Sequence, residues 1–180
     1  MENKQGLLKY LWQITYAHAI AYFVAGIFAV FVVNYRDLYA MDVISSFMHS
    51  VDTPIVALGP VLQIFRGIII ALILLPLRRT FFEEKYGLIK LGIITIGLSL
   101  LSTIGPTMGS FEGYIYTKIP YMYQILGYPE AIIYVLLFIG ILYVSKRCGQ
   151  KKITAVLPIV LVVLVLFFGI MGFLSASGLL

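Results

Sequence analysis

The chain has 180 residues, of which 61% are hydrophobic and only 12% are charged, and its mean hydropathy is +1.00. This composition is typical of membrane proteins and excludes an ordinary soluble domain. The net charge of +5 does not indicate nucleic-acid binding, because the basic residues lie in short clusters beside apolar runs. A single cysteine, Cys148, excludes an internal disulfide and a thiolate metal cage.

The first long apolar run covers residues 11–33. It is longer than the ~7–15 apolar residues of a signal peptide, so we expect a retained transmembrane helix. One helical face of this run carries small and polar residues: Thr15, His18, Tyr22 and Gly26. Small residues allow helices to approach closely and polar ones avoid lipid, so this face should point towards other helices.

The first connection covers residues 34–53. Its apolar residues recur at helical spacing and predict an amphipathic helix at the membrane interface: Ile44, Phe47, Met48 and Val51. Thr53 and Pro54 then provide an N-cap and a proline at the first helical position. A sharp helix start at the membrane surface is therefore expected at this point.

The second span, residues 54–77, carries Arg66 near its middle. Arg66 lies about 18 Å from the start of this run, beyond easy reach of the membrane surface. An arginine at the centre of a membrane helix costs at least ~2.5–3.5 kcal/mol, so its side chain should face a polar partner or a water-filled cavity. Gln63 lies one turn away on the same face, which predicts an inward-facing polar pair.

The third span, residues 87–105, carries a stripe of small and hydroxyl residues: Gly92, Thr95, Ser99 and Ser102. Such hydroxyls usually bond to their own helix or to a neighbouring one. The next segment, residues 106–129, is too apolar for a solvated loop and too rich in Gly and Pro for a spanning helix. Its five tyrosines suit the headgroup layer, so we expect an interfacial or re-entrant segment between spans three and four.

The fourth and fifth spans are predicted at residues 130–145 and 153–174. The fourth run covers only ~22 Å of a hydrocarbon core that is ~30 Å thick, so its helix should begin before Pro129. The fifth run has no polar stripe and should face lipid over much of its surface. The expected fold is a single all-α, polytopic transmembrane domain over residues 1–180.

The distribution of Lys and Arg predicts the orientation. Ten of the 13 basic residues lie before span one, after span two or after span four. The opposite connections hold only Arg36 and Lys118. Because positive residues collect in cytoplasmic loops, the N-terminus should be cytoplasmic and the C-terminus extracytoplasmic.

Known catalytic and cofactor sequence motifs are absent from the sequence, including G-x-G-x-x-G, the P-loop, H-E-x-x-H and G-x-S-x-G. The sequence predicts no metal site and identifies neither a catalytic residue nor a cofactor. Gly105, Gly109 and Gly113 recur at every fourth residue, but Pro106 and Ser110 favour a flexible loop over a helix-packing motif.

Two groups of polar residues remain as candidate sites. The charged residues of the outer connections, Glu130 among them, are interpreted as solvated surface charge. Glu112 stands apart because flanking glycines allow close backbone approach and aromatic residues lower the local dielectric. The inner group lies within the predicted spans, with His18 as either a hydrogen-bonded core residue or a proton-accepting, ligand-contacting group. The candidate ligand-binding residues are Arg66, Gln63, His18, Tyr22, Ser99 and Glu112.

Three functions are compatible with these residues. The first is a ligand-binding or transport component in which Arg66 meets an anionic or carbonyl-bearing small molecule. The second is a non-catalytic subunit of a larger membrane complex, with Arg66 as a helix-pairing contact to a partner protein or a second copy. As the alternative to ligand binding, Arg66 has a structural role and donates to helix-end carbonyls or pairs with Glu112. The third is an intramembrane enzyme that uses His18 or Glu112. The lipid bilayer is the expected environment and nucleic acid is not expected as a partner.

Overall fold

The computed structural model describes residues 4–101, 107–148 and 152–180, and these residues form helices and connecting turns without a β-strand. The α-helices are α1 (Lys4–Phe31), α2 (Tyr35–Ala40), α3 (Asp42–Ser45), α4 (Pro54–Ala57), α5 (Gly59–Leu74), α6 (Gly87–Leu101), α7 (Phe111–Tyr116), α8 (Tyr121–Cys148) and α9 (Lys152–Ala176). A short 3₁₀ turn (Leu75–Leu77) and a π-helical turn (Arg79–Glu83) connect α5 to α6.

In the described ranges, four helical segments are long and apolar enough to cross a membrane: Gly6–Phe31, Gly59–Leu77, Tyr121–Cys148 and Lys152–Ala176. The fifth apolar helix, α6, has 15 described residues and is ~22 Å long, which is short for a complete crossing. The all-α, polytopic membrane fold predicted from composition is confirmed, and the predicted number of about five spans corresponds to four long apolar helices and the shorter α6 in the described residues.

Two of the apolar helices that pack on α1 run in the opposite direction to it. The Tyr10 hydroxyl, near the start of α1, donates to the carbonyl of Ala71 near the end of α5 (3.2 Å). Tyr16 of α1 bonds to Ser145 near the end of α8, so both partner helices are antiparallel to α1. We call this end of the bundle the basic end, because a cleft there is lined by Lys9, Arg78, Lys146 and Arg147. The opposite end, where α1 leads into α2, is the loop end.

The first helix is the centre of the bundle. Its residues 14–21 are all buried, with Ile14, Ala17 and Ala21 fully inaccessible. Helices α5, α8 and α9 pack around α1, and α6 packs on α8. Because neighbours cover residues 14–21 on every side, burial in this part of α1 extends well beyond the polar face that the sequence indicated. By contrast, α9 exposes apolar side chains along most of its length, as expected of a lipid-facing helix.

The close approach of α5 to α1 depends on Gly67. A Cβ atom at Gly67 would lie 2.9 Å from Cα of Thr15 on α1, which is closer than a side chain tolerates. Glycine therefore lets the two backbones meet, as small residues do in packed membrane helices. This contact determines the rotation of α5 and turns Gln63, Gly67 and Ala71 inward.

The first connection differs from the predicted amphipathic helix. The structure forms two short helices, α2 and α3, and the chain leaves helical geometry after Ser45. Ile44 is buried among Ala29, Tyr35 and Leu38, whereas Phe47 is exposed. Met48 and Val51 pack against the same cluster, so the apolar spacing reflects a turn that covers this cluster rather than a continuous helix.

The start of the second span also differs in detail. Thr53 precedes Pro54 at the first turn of α4, as predicted, but its side chain makes no capping bond to the helix. Its hydroxyl donates instead to the carbonyl of Ser50 (2.7 Å). The long helix α5 begins only at Gly59.

The segment between spans three and four is shorter than predicted. Residues 107–120 form a loop that contains α7, but the helix that crosses the membrane already begins at Tyr121. Residues 121–129 thus belong to α8, whose 28 residues extend ~42 Å and exceed the ~30 Å hydrocarbon core. The start of the fourth helix before Pro129 is confirmed. Three predictions also involve residues outside the described ranges. These are Ser102 in the hydroxyl stripe of span three, Gly105 in the glycine repeat and Pro106 at the start of the interfacial segment.

Candidate functional site

The buried polar centre of the bundle joins three helices through His18. Its Nδ1 atom lies 2.7 Å from the Tyr134 hydroxyl on α8, and its Nε2 atom lies 3.0 Å from Oε1 of Gln63 on α5. An imidazole bonded in this way fits the neutral tautomer in which Nε2 donates to Gln63 and Nδ1 accepts from Tyr134. Both ring nitrogens are therefore occupied, which favours a structural histidine over a free acid–base group.

The local sequence explains how these side chains meet. His18 is 1% exposed and lies on the central helix, while Gln63 is on the face of α5 that Gly67 brings against α1. The Tyr134 ring packs edge-on to His18, with centroids 5.6 Å apart, and stacks on Phe138. The apolar rings exclude competing water, so the hydrogen bonds become more favourable.

Arg66 occupies a different position from Gln63. Its side chain is exposed, and within the described part of the chain it makes no hydrogen bond or ion pair. This exposure contradicts the prediction that Arg66 and Gln63 both face inward. The close contact of Gly67 with α1 places Gln63 on the buried face of α5 and leaves Arg66 outside it. The charge of Arg66 nevertheless acts on His18, Tyr22 and Tyr134, so its guanidinium borders the polar centre.

The position of Arg66 along its helix also differs from the expected one, because Leu58 separates α5 from the short helix α4. Because α5 starts at Gly59, Arg66 lies ~10 Å from the start of its helix instead of ~18 Å. Side chains on a helix tilt towards its N-terminus, which for α5 is the loop end. The guanidinium is thus directed towards Tyr22 and the loop end of the bundle.

Tyr22 connects the polar centre with a second group at the loop end. Its ring centroid lies 6.2 Å from that of His18, and both Glu130 and Arg66 act on it electrostatically. Glu130 is half-buried and accepts a hydrogen bond from the Tyr35 hydroxyl. The interpretation of Glu130 as an ordinary solvated charge is therefore wrong.

Glu130 lines a cleft of about 300 Å³ at the loop end. The Tyr35 and Tyr39 rings stack at this cleft with centroids 5.0 Å apart. Burial, together with the negative charge of Glu130, raises the pKa of Tyr39 to about 12. The same causes raise the pKa of Tyr35 well above its usual value, so both phenols are neutral hydrogen-bond donors at physiological pH.

Two predicted site residues lie away from this group. Ser99 is exposed on α6 and donates to the carbonyl of Thr95 in its own helix (2.8 Å), as hydroxyls in membrane helices commonly do. Glu112 is half-buried in α7, which packs on α6 and α8, and no ion pair joins it to Arg66 in the described residues. The structure thus groups His18, Gln63 and Tyr22, with Arg66 at the edge.

The loop before α8 is held by a fully buried amide that the sequence did not single out. Oε1 of Gln124 accepts from the backbone N–H of Gly109 (2.7 Å). Its Nε2 donates to the Gly113 carbonyl (2.9 Å) and to the Thr117 hydroxyl (2.8 Å). Gly109 has a φ of +81°, a conformation that glycine adopts readily, and this supports the loop interpretation of the glycine repeat.

Sequence reasoning also missed Tyr134 and the position of Glu130. The sequence does contain a pattern that indicates both residues. Glu130 and Tyr134 are one helical turn apart at the start of an otherwise apolar run. Two polar residues on one face of a membrane helix indicate an inward-facing face. The five tyrosines of residues 106–129 are typical of the headgroup layer, so the polar residues that follow them also resemble interfacial residues.

The described residues contain no group of three or more His, Cys, Asp or Glu side chains that could hold a metal ion. No protein-family model, curated protein or solved structure matches this chain. The function must therefore be argued from the geometry of these polar groups.

Proposed function

We propose that this small multi-pass membrane protein binds an anionic or carbonyl-bearing ligand at Arg66, as a ligand-binding or transport component. The observation that carries the proposal is an exposed guanidinium, on a helix long and apolar enough to span a membrane, without a polar partner in the described chain. Such a charge is costly in lipid unless water or an anion compensates it. An anion supplied from outside the chain provides that compensation.

The surroundings of Arg66 suit a ligand better than a flat lipid contact. The guanidinium offers several N–H donors in one plane, which can bind a carboxylate or phosphate through two parallel hydrogen bonds. Tyr22 is half-buried and makes no hydrogen bond with a described residue through its hydroxyl, so this hydroxyl is available as a further donor. Behind the site, the buried His18 and the half-buried Tyr134 are held in place by their mutual hydrogen bond, which supports the helices on which Tyr22 and Arg66 lie.

A second function, as a subunit of a larger membrane complex, is favoured by the apolar surface next to Arg66. Phe65 and Ile69 on the same helix are 63% and 56% exposed. In this alternative a helix of a partner or of a second copy covers them and supplies a carboxylate to Arg66. Burial of the guanidinium would then depend on assembly.

The test compares matched anionic and neutral probes. Binding of dodecanoate, dodecyl phosphate and the uncharged dodecanol is measured by native mass spectrometry of the purified protein in mild detergent. We expect the two anions to bind and Arg66→Gln to abolish their binding, while Arg66→Lys weakens it because an ammonium lacks the planar donor pattern. Arg79→Gln, which removes an exposed arginine at the basic end, serves as the control.

Equal binding of all three probes, or full anion binding by Arg66→Gln, would contradict a ligand site at Arg66. Thermal unfolding and size-exclusion chromatography of the same variants address the alternative. A partner chain or second copy that is lost specifically in Arg66→Gln would instead support the complex subunit.

A further inference from the structure

The cleft at the loop end combines aromatic faces with a single charged side chain. Its walls come from α1, α2, α4 and the start of α5, with Glu130 contributed by α8. Among the described residues that line the cleft, Glu130 is the charged one. The aromatic lining residues are Tyr22, Phe23, Phe31, Tyr35 and Tyr39.

Within the described part of the chain, the carboxylate in this cleft forms no ion pair. Glu130 accepts a hydrogen bond from the Tyr35 hydroxyl, and no ion pair joins it to a Lys, Arg or His among the described residues. Its negative charge acts on Tyr35 and Tyr39, and on Tyr22 against the opposite charge of Arg66, so the negative potential extends over the part of the cleft that α2 lines. A cation inside the cleft would therefore be attracted by the carboxylate and by the ring faces together.

We propose that this cleft binds an organic ammonium group, carried by a lipid headgroup or by a free small molecule. Ammonium groups without a strong hydration shell are recognised by aromatic walls with a nearby counter-charge. A hard divalent cation is disfavoured, because it requires about six or more oxygen ligands and this cleft offers one carboxylate among aromatic and apolar side chains. The volume of about 300 Å³ fits a small ligand.

The roles of the residues follow from their contacts. Glu130 supplies the counter-charge, and Tyr22 and Tyr39 present ring surfaces. Tyr35 is a positioning residue, because its hydroxyl bonds the carboxylate and its ring stacks on Tyr39. This site does not depend on an anion at Arg66, so either proposal can fail while the other holds.

The experiment uses the full chain in nanodiscs made only of phosphatidylglycerol, which carries no ammonium group. Tetramethylammonium and choline are titrated by isothermal calorimetry, with 3,3-dimethyl-1-butanol as the uncharged isostere of choline. We expect saturable binding of both ammonium ions and none of the alcohol. Glu130→Gln should weaken ammonium binding about tenfold or more, since the counter-charge is lost.

Further variants distinguish the contribution of the Glu130 charge from that of the Tyr39 ring. Tyr39→Phe keeps the ring and should retain binding, whereas Tyr39→Leu keeps apolar bulk without a ring and should weaken it. Asp42→Asn removes an exposed carboxylate at the same end of the bundle and should change nothing. If Glu130→Gln does not fold, the comparison of the two Tyr39 variants still decides the proposal.

A second arm distinguishes the two sources of the ammonium group. The protein is exchanged into mixed phosphatidylcholine and phosphatidylglycerol, and retained lipids are counted by native mass spectrometry. Phosphatidylcholine retained by the wild type and lost in Glu130→Gln would identify a headgroup, whereas binding of free choline alone would identify a small-molecule site. Absence of both, or unchanged binding by folded Glu130→Gln, would overturn the proposal.

Discussion

Nε2 of His18 lies 3.0 Å from Oε1 of Gln63 in the buried interface between α1 and α5. The bond links the central helix to the helix that carries Arg66, one turn from Gln63. Since the His18 ring also contacts α8 through Tyr134, the position of three helices depends on this imidazole. Loss of one partner leaves a buried donor without an acceptor.

The first prediction concerns this bond. Gln63→Leu should destabilise the fold by ~1–3 kcal/mol, because the Nε2–H group of His18 remains buried without an acceptor. The free energy of unfolding is measured by dodecyl sulfate titration in mixed micelles. Ser99→Ala, which removes an exposed hydroxyl bonded to its own helix, should change it little. A fully stable Gln63→Leu protein would show that His18 finds another partner.

The second prediction concerns the contact between α1 and α5. Gly67→Ala should destabilise the protein by ~1–3 kcal/mol, because the added Cβ meets the Thr15 backbone at 2.9 Å and the helices must separate. Gly140→Ala is the matched control, since its Cβ has no neighbour within 4 Å and alanine favours the helix. Both are compared by the same unfolding titration. Equal stability of the two variants would exclude a tight contact at Gly67.

The third prediction concerns the loop before α8. Gln124→Leu should accelerate proteolysis within residues 107–120, because the buried backbone N–H of Gly109 loses its acceptor at a cost of ~1–3 kcal/mol, although the Gly113 carbonyl still accepts from Thr117. Met122→Leu, an exposed neighbour on the same helix, should leave the cleavage rate unchanged. In the wild type we expect slow cleavage near Tyr116. Rapid cleavage of the wild type would show an ordinary exposed loop.

The fourth prediction concerns orientation. The start of α1 and the end of α9 lie at opposite ends of the bundle, since Gly169 of α9 packs on Val61 at the loop end of α5. From the distribution of basic residues, a reporter fused after Leu180 should be extracytoplasmic and one inserted near Glu84 cytoplasmic. Accessibility of each reporter in intact cells is the measurement. Both reporters on one side would contradict the alternating arrangement of spans.

The sequence by itself determined the class of protein and the approximate number of spans. Long apolar runs can satisfy their backbone groups only as helices within a bilayer, so composition is sufficient to predict a polytopic helical fold. Helix boundaries near glycine and proline could not be predicted in the same way. The glycine and proline of residues 121–129 predicted a broken segment, but these residues form the start of α8. Neighbouring helices and the hydrogen bonds from the Gln124 side chain to the preceding loop stabilise this part of the helix.

The tertiary structure decided which polar residues meet. In helices that are apolar on nearly every face, periodicity gives little information on rotation, and Arg66 and Gln63 differ by only ~60° around α5. The backbone contact between Gly67 and Thr15 turns Gln63 towards His18 and leaves Arg66 exposed. Likewise, only the packing of α2 beside α8 brings the Tyr35 hydroxyl to Glu130. Such contacts join residues far apart in the chain, and no local pattern of residues encodes them.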